Sequence, residues 1–175
     1  MTRLIHRTLG LLAVVTLLGG CAVIDHSPPS GADKNAAWVV LPFANATETP
    51  FAGQRAESVT EGLLRSLGVA NLKRYPVSLQ NDNLFESGKP KDADKAMDWA
   101  KEQGARYAVT GTVDEWRYKV GVDGEPAVGV ALQIVEIDGG KVVWSGVGGK
   151  SGWSRESLSG VAQELIKSLL VPALK

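Results

Sequence analysis

The chain has 175 residues, 44% of them hydrophobic and 22% charged, with 19 basic and 19 acidic side chains and a single cysteine. That composition excludes collagen-like, disulfide-framework and strongly basic nucleic-acid-binding classes, and it leaves room for one domain.

Arg3, His6 and Arg7 precede a short apolar run from Leu9 to Leu18, followed by Gly19, Gly20 and Cys21, the three regions of a secretory signal in order. The apolar run is far shorter than the roughly 20 residues a transmembrane helix needs, so residues 1–20 read as a cleaved signal rather than an anchor. Leu18-Gly19-Gly20-Cys21 resembles the bacterial lipobox, in which the cysteine thiol receives a diacylglyceryl group and the chain is cut just before it. The alternative is an ordinary signal peptide with an accidental cysteine, which would leave a secreted protein with a lone reactive thiol. Cleavage leaves 155 residues with 17 basic and 19 acidic side chains, a net charge of −2. Two or three acyl chains on Cys21, at about 0.8 kcal/mol per buried methylene, hold a protein on a bilayer far more firmly than one. Ala22 stands where an aspartate would favour inner-membrane retention, so the resemblance to sorted lipoproteins implies the periplasmic face of the outer membrane. That compartment has neither ATP nor glutathione.

Residues 22–36 lack hydrophobic periodicity and are rich in turn formers, from His26-Ser27-Pro28-Pro29 to Ser30-Gly31-Ala32-Asp33. They read, with Cys21, as a flexible tether able to span at most about 50 Å. Trp38 to Leu41, stopped by Pro42, suits a buried strand, and Ala56, Val59, Thr60, Leu63, Leu64 and Leu67 recur with a helical period ended by Gly68. Leu72 to Val77 reads as a second strand, 78–90 as a polar loop, and Asp92 to Gln103 as a second helix ended by Gly104. Three strands follow, 106–120, 127–137 and 141–147, the last two joined by the turn Asp138-Gly139-Gly140. A final helix over 155–170 carries Leu158, Val161, Ala162, Leu165, Ile166 and Leu169 on one stripe. The order βαβαβββα over residues 37–175 predicts a single two-layer α/β (α+β) domain, a mixed sheet with helices packed on it.

The two histidines, His6 and His26, lie in the signal and the tether, which leaves the folded domain without histidine triads or histidine metal sites. Lipidation uses the one thiol, and no G-x-S-x-G elbow is present. Gly146 to Ser151 ends like a phosphate-binding loop, but Trp144 occupies the position of its first glycine. A glycine-rich strand end where another backbone packs closely accounts for it better. Asp114 and Glu115, adjacent on a strand, are expected on opposite faces and so cannot form a carboxylate pair. Asp123 and Glu125 share the loop 121–126, where solvated acids or a collective charge outweigh a glycosidase pair. No catalytic residue and no metal site is therefore expected, and the covalent lipid on Cys21 takes the place of a cofactor. Trp153, in Ser151-Gly152-Trp153-Ser154, is the aromatic in a loop. Three readings stand open for it: insertion at a membrane interface, burial in a neighbouring subunit, or folding back on its own core. Strand directions place the loops 44–53, 78–90, 121–126 and 149–155 at one end of the sheet.

The run Trp38-Val39-Val40-Leu41-Pro42-Phe43-Ala44-Asn45, followed by Thr47, Pro50, Ala52-Gly53, Arg55-Ala56 and Thr60, resembles the PelC family of lipoproteins of Pel polysaccharide export. Its strand ending in Leu-Pro-Phe-x-Asn is shared more widely with the curli-channel lipoprotein, the TolB N-terminal domain and lipoprotein activators of penicillin-binding proteins. That shorter likeness implies the fold, a TolB N-domain-like or anticodon-binding-domain-like sheet, more than the job. The PelC resemblance implies no enzyme but a homo-oligomeric ring, a dodecamer in that family, beneath the outer membrane. Its implied partners are a PelB-type export protein and a cationic polysaccharide steered by acidic surface, with no nucleic acid. On that basis Asp123 and Glu125, then Asp114 and Glu115, are the expected polymer-guiding acids, and Trp153 the membrane-proximal or interface aromatic. A channel of the curli type is disfavoured, since no spare lipid-facing hairpin remains. A lipoprotein activator or partner of a periplasmic cell-wall synthase is the alternative.

Overall fold

In the computed structural model the described residues are 22–79, 93–121 and 124–175. They form one mixed seven-stranded sheet with three helices packed on it. In chain order the elements are β1 (Ala22–His26), β2 (Trp38–Val40), β3 (Ala44–Asn45), α1 (Ala52–Ser66), β4 (Leu72–Arg74), α2 (Ala93–Glu102), β5 (Tyr107–Tyr118), β6 (Pro126–Glu136), β7 (Lys141–Ser151) and α3 (Leu158–Ala173). The strand order is β1-β7-β6-β5-β2-β4, with β3 continuing the line of β2 beside β5. The pairs of β5, β6, β7 and β1 are antiparallel, whereas β2, β3 and β4 run parallel.

Alternation along the strands sorts the core into two parts. Val128, Val130, Leu132 and Ile134 of β6, with Val109, Val113 and Trp116 of β5, pack against α1 and the apolar stripe Val161, Leu165, Ile166 and Leu169 of α3. The opposite side of β2 and β5, Val39, Leu41 and Ala108, is covered by Ala96 and Ala100 of α2. Helix α2 thus adds a partial third layer at one corner, and among the described residues no other helix lies over that sheet face.

The segment expected as a tether is docked instead. Ala22–His26 pairs with the edge of β7 in the register Ala22↔Lys150 to His26↔Gly146. Ser30 Oγ donates to the carbonyl of Ala173 at 2.6 Å, and the Trp38 indole donates to the carbonyl of Asp33 at 2.9 Å. An exposed β7 edge would carry a row of unpaired N–H and C=O groups, and β1 satisfies them. Two apolar residues, Val23 and Ile24, are too few for periodicity to announce that strand.

The glycine-rich run is part of β7, which continues to Ser151 rather than ending near Val147. A side chain at Gly146 would come within 2.5 Å of the Trp144 ring, and one at Gly148 within 2.8 Å of Leu165. The glycines therefore let the indole and helix α3 lie directly on the strand, and Lys150 pairs with Glu164 of α3 instead of closing a phosphate loop.

At the start of α1, Gly53 lies against the turn that follows β2, where a Cβ would sit 2.5 Å from the carbonyl oxygen of Phe43. One turn later Glu57, only 1% exposed, accepts the Phe43 N–H at 3.0 Å. Helix and turn are locked by one absent side chain and one buried acid. Helix propensity alone would favour Gly53→Ala by about 1 kcal/mol, but the clash with backbone is the larger effect. Chemical denaturation is expected to show a net loss of about 1–3 kcal/mol, and Leu165→Ala a loss of about 2–5 kcal/mol.

Candidate functional site

The end of the sheet where β5 leaves at Tyr118 gathers three loops through specific hydrogen bonds. Thr49 Oγ1 donates to the carbonyl of Trp116 at 2.6 Å, tying the β3–α1 loop to β5. That loop is itself ordered by Asn45, whose Oδ1 accepts the Thr47 N–H at 3.0 Å while its Nδ2 donates to the Thr49 carbonyl at 2.9 Å. The Gly152 N–H donates to the carbonyl of Pro126 at 2.8 Å, and Lys119 Nζ donates to Ser151 Oγ at 2.6 Å. Tyr118 Oη accepts the Leu158 N–H at the start of α3. The expected clustering of the 44–53, 121–126 and 149–155 loops is present, and the 78–90 loop lies almost entirely outside the described residues.

Trp153 is 53% exposed in this end, so it does not fold back onto its own core. Its loop is a closed turn: the Trp153 N–H donates to Glu156 Oε2 at 2.8 Å, and the Glu156 N–H donates to the Trp153 carbonyl at 2.9 Å. Phe51, Tyr118 and Val120, all exposed apolar side chains that single residues in polar turns did not announce, emerge at the same end of the sheet. Phe51 holds φ 60°, a left-handed conformation that a bulky residue adopts only when its surroundings impose it. Ala22, the residue after Cys21, is paired with Lys150 at this same end. Cys21 itself lies outside the described residues.

The acids are arranged differently from the expectation. Val113 opposes Val130 and Glu115 opposes Gly129, so Asp114 is the extra residue of a β-bulge. Val113 and Trp116 both point into the helix-side core. The two residues between them therefore share the other face: a Cβ on Gly129 would lie 3.4 Å from that of Glu115 and 3.8 Å from that of Asp114. Strict alternation, which separates neighbouring carboxylates, fails at a bulge. Asp114 is exposed and Glu115 half-buried, with Arg117 Nε donating to Glu115 Oε1 at 2.9 Å. Glu125 sits at the foot of β6, where its carbonyl accepts the Lys119 N–H at 2.7 Å. Asp123 lies outside the described residues. Among the described residues no three His, Cys, Asp or Glu side chains are placed to hold a metal ion, and no helix is long and apolar enough to cross a membrane.

No protein-family model and no curated protein matches the sequence. Among solved structures the chain is similar to the PelC dodecamer from Paraburkholderia phytofirmans, at 38% identity and a TM-score of 0.75 over 88% of this chain and 98% of that one. A methionine-substituted form of the same dodecamer gives 40% identity and a TM-score of 0.77, covering 88% and 99%. The chain belongs to the PelC family. A lipoprotein from Neisseria meningitidis, 18% identical with a TM-score of 0.53 over 78% of this chain and 96% of that one, shares the fold with this PelC relative and no more. The Leu-Pro-Phe-Ala-Asn segment that carried the resemblance is the one that Gly53, Glu57 and Asn45 fix in place.

Because Trp153 packs on little while Trp144 is fully buried, their truncations separate a surface role from a structural one. Trp153→Ala is expected to change unfolding free energy by no more than about 0.5 kcal/mol. Trp144→Ala should cost about 3–5 kcal/mol in the same denaturation experiment.

Proposed function

We propose that this PelC-family protein is an outer-membrane lipoprotein whose copies form a ring on the periplasmic side and guide a cationic polysaccharide to an export pore. The observation that carries the reading is the likeness to two solved PelC dodecamers over nearly the whole chain. The lipid would sit on Cys21, one residue, about 3.8 Å, from the paired Ala22, and so at the end that presents Trp153, Tyr118, Phe51 and Val120. Indole and phenol side chains favour the headgroup region, and this arrangement turns that end towards the bilayer. The docked 22–26 segment supports a body held close against the membrane rather than one swinging on a long leash.

The polymer-guiding role falls to the acids near the same end. Glu115 is paired with Arg117, and Asp114, Glu125 and Lys119 stand near it in the sequence at the same end, so these five side chains carry a net of one negative charge, to which Asp123 adds another. Such a surface steers a polycation weakly on its own. Repetition around a ring, by contrast, focuses a field of one sign across the opening. A PelB-type export protein is the expected partner at the membrane.

Light scattering on the full-length protein in detergent tests the assembly, with a mass of about a dozen protomers expected. A monomer at high concentration would move the assignment to the class of lipoproteins that activate a cell-wall synthase. For guidance, the assembled protein should bind a partly deacetylated cationic polysaccharide with an affinity that falls at least about tenfold between low and physiological-to-high salt. The variant Asp114→Asn/Glu115→Gln/Glu125→Gln should lose most of that binding, while an uncharged polymer should bind neither form.

A further inference from the structure

We infer that the β3–α1 loop is a second bilayer contact of each copy, in which Phe51 enters the boundary between headgroups and acyl chains and Arg55 binds a lipid phosphate. The proposal rests on the reading above that turns this end towards the membrane, and it adds the residues and the lipid group that meet there.

Phe51 is a poor choice for the fold of one copy. It is the one non-glycine among the described residues with a positive φ, at 60°, where glycine or asparagine would sit without strain. It also opens helix α1, yet its side chain gives the helix no cap, as an asparagine or serine there would. Burial does not compensate, because the side chain is 43% exposed. A residue that strains the backbone, caps nothing and buries little has its use outside the copy.

The loop that carries it is stiff. Asn45, Thr47 and Thr49 bond one another, and Thr49 Oγ1 is tied to the Trp116 carbonyl. The Arg55 N–H donates to the Phe51 carbonyl at 3.0 Å, which fixes Phe51 to the first turn of α1. The side chain is therefore presented in one direction, and little freedom is lost when it enters a new environment.

Arginine decides which environment that is. Arg55 follows Phe51 by one helical turn, is exposed, and has no ion pair among the described residues. Side chains on a helix lean towards its N-terminus, so the Arg55 guanidinium reaches back towards Phe51 and the end of the sheet. The β7–α3 loop repeats the arrangement with Trp153 and, two residues on, Arg155, also exposed and without an ion pair among the described residues. An aromatic at headgroup level with a guanidinium beside it matches a phospholipid, whose phosphate takes two parallel N–H donors. The other charges of this end are compatible. Glu156 accepts the Trp153 N–H, Glu115 is paired with Arg117, and Lys119 donates to Ser151. Glu48, exposed in the same loop as Phe51, suits the ammonium of a zwitterionic headgroup. Both loops lead into the helix layer, so contact there leaves open the opposite face of the sheet, which carries Asp114 and Glu115.

The test uses the mature lipidated protein in vesicles of phosphatidylethanolamine and phosphatidylglycerol. The unsubstituted chain should take no maleimide label, since Cys21 carries the lipid; labelling there overturns the reading on which the proposal rests. Phe51→Cys, Ser154→Cys and, at the far end of the sheet, Lys141→Cys then each receive an environment-sensitive dye. Lipids brominated near the top of the acyl chain should quench the dyes at 51 and 154 at least about twofold and leave that at 141 unchanged. Quenching at 154 without quenching at 51 overturns the second contact, and quenching at neither site overturns the orientation of the body. A dye at 51 shielded from both brominated lipid and aqueous iodide places the loop against protein and overturns the bilayer contact too. Arg55→Gln/Arg155→Gln should lower quenching at both sites severalfold, and Arg55→Lys/Arg155→Lys should keep most of it. In vesicles of an uncharged glycolipid the parent and the glutamine variant should agree. Equal quenching of those two in phospholipid overturns the phosphate contact. Phe51→Asn should raise the midpoint of thermal unfolding, whereas a fall would give the side chain a role within its own copy and overturn the proposal.

Discussion

The direct seating of helix α3 on strand β7 organises the rest of the domain. Gly148 leaves room for Leu165, and Gly146 leaves room for the Trp144 indole and Leu169, so these side chains rest directly on the backbone of the strand. That closeness brings the end of α3 within reach of Ser30, fixing the path of the chain that leads from β1 to β2. It also aims the start of α3 at Tyr118, so that the loop bearing Trp153 is held at the exit end of β5. A methyl group at either glycine would push the helix outward, and both connections would lengthen together.

A second constraint acts on the same face of the sheet, where the turn after β2 meets α1. Burying the carboxylate of Glu57 is unfavourable unless its oxygens find donors, and the Phe43 N–H provides one. The absence of a side chain at Gly53 then decides how closely the helix can approach that donor. A sequence segment that reads as a family signature is thus a packing device first. It sets the height of the β3–α1 loop and so the level at which Phe51 emerges.

Much of this architecture was legible in the sequence because it rests on long, regular patterns. The stripe from Val161 to Leu169 and the alternation from Val128 to Ile134 each repeat enough times to fix element type and buried side. What escaped was set by single residues and by partners distant in the chain. Asp114 and Glu115 share a face because one residue bulges out of register, an event that alternation cannot signal. Val23 and Ile24 look like stray apolar residues in a polar stretch until the edge of β7 gives them something to pair with. The placement of Trp153 in a loop could be read, but that it does not fold back on its own core is set by its tertiary surroundings. Phe51, Tyr118 and Val120 joined it through tertiary convergence of three loops rather than through any local motif.

The pairing of β1 with β7 also bears on the order in which the molecule is completed. Ser27 and Ser145, joined in both directions by hydrogen bonds, are 118 positions apart, so the strand made among the earliest must wait for one made among the last. Contacts of such long sequence separation form slowly, because the intervening loop must be closed before they give any return. Until the carboxy-terminal third of the chain is present, the edge of β7 that β1 pairs with does not exist. Closure of the sheet is thereby a late event that reports the arrival of the carboxy-terminal third, and the segment nearest Cys21 is fastened only once the body behind it has folded.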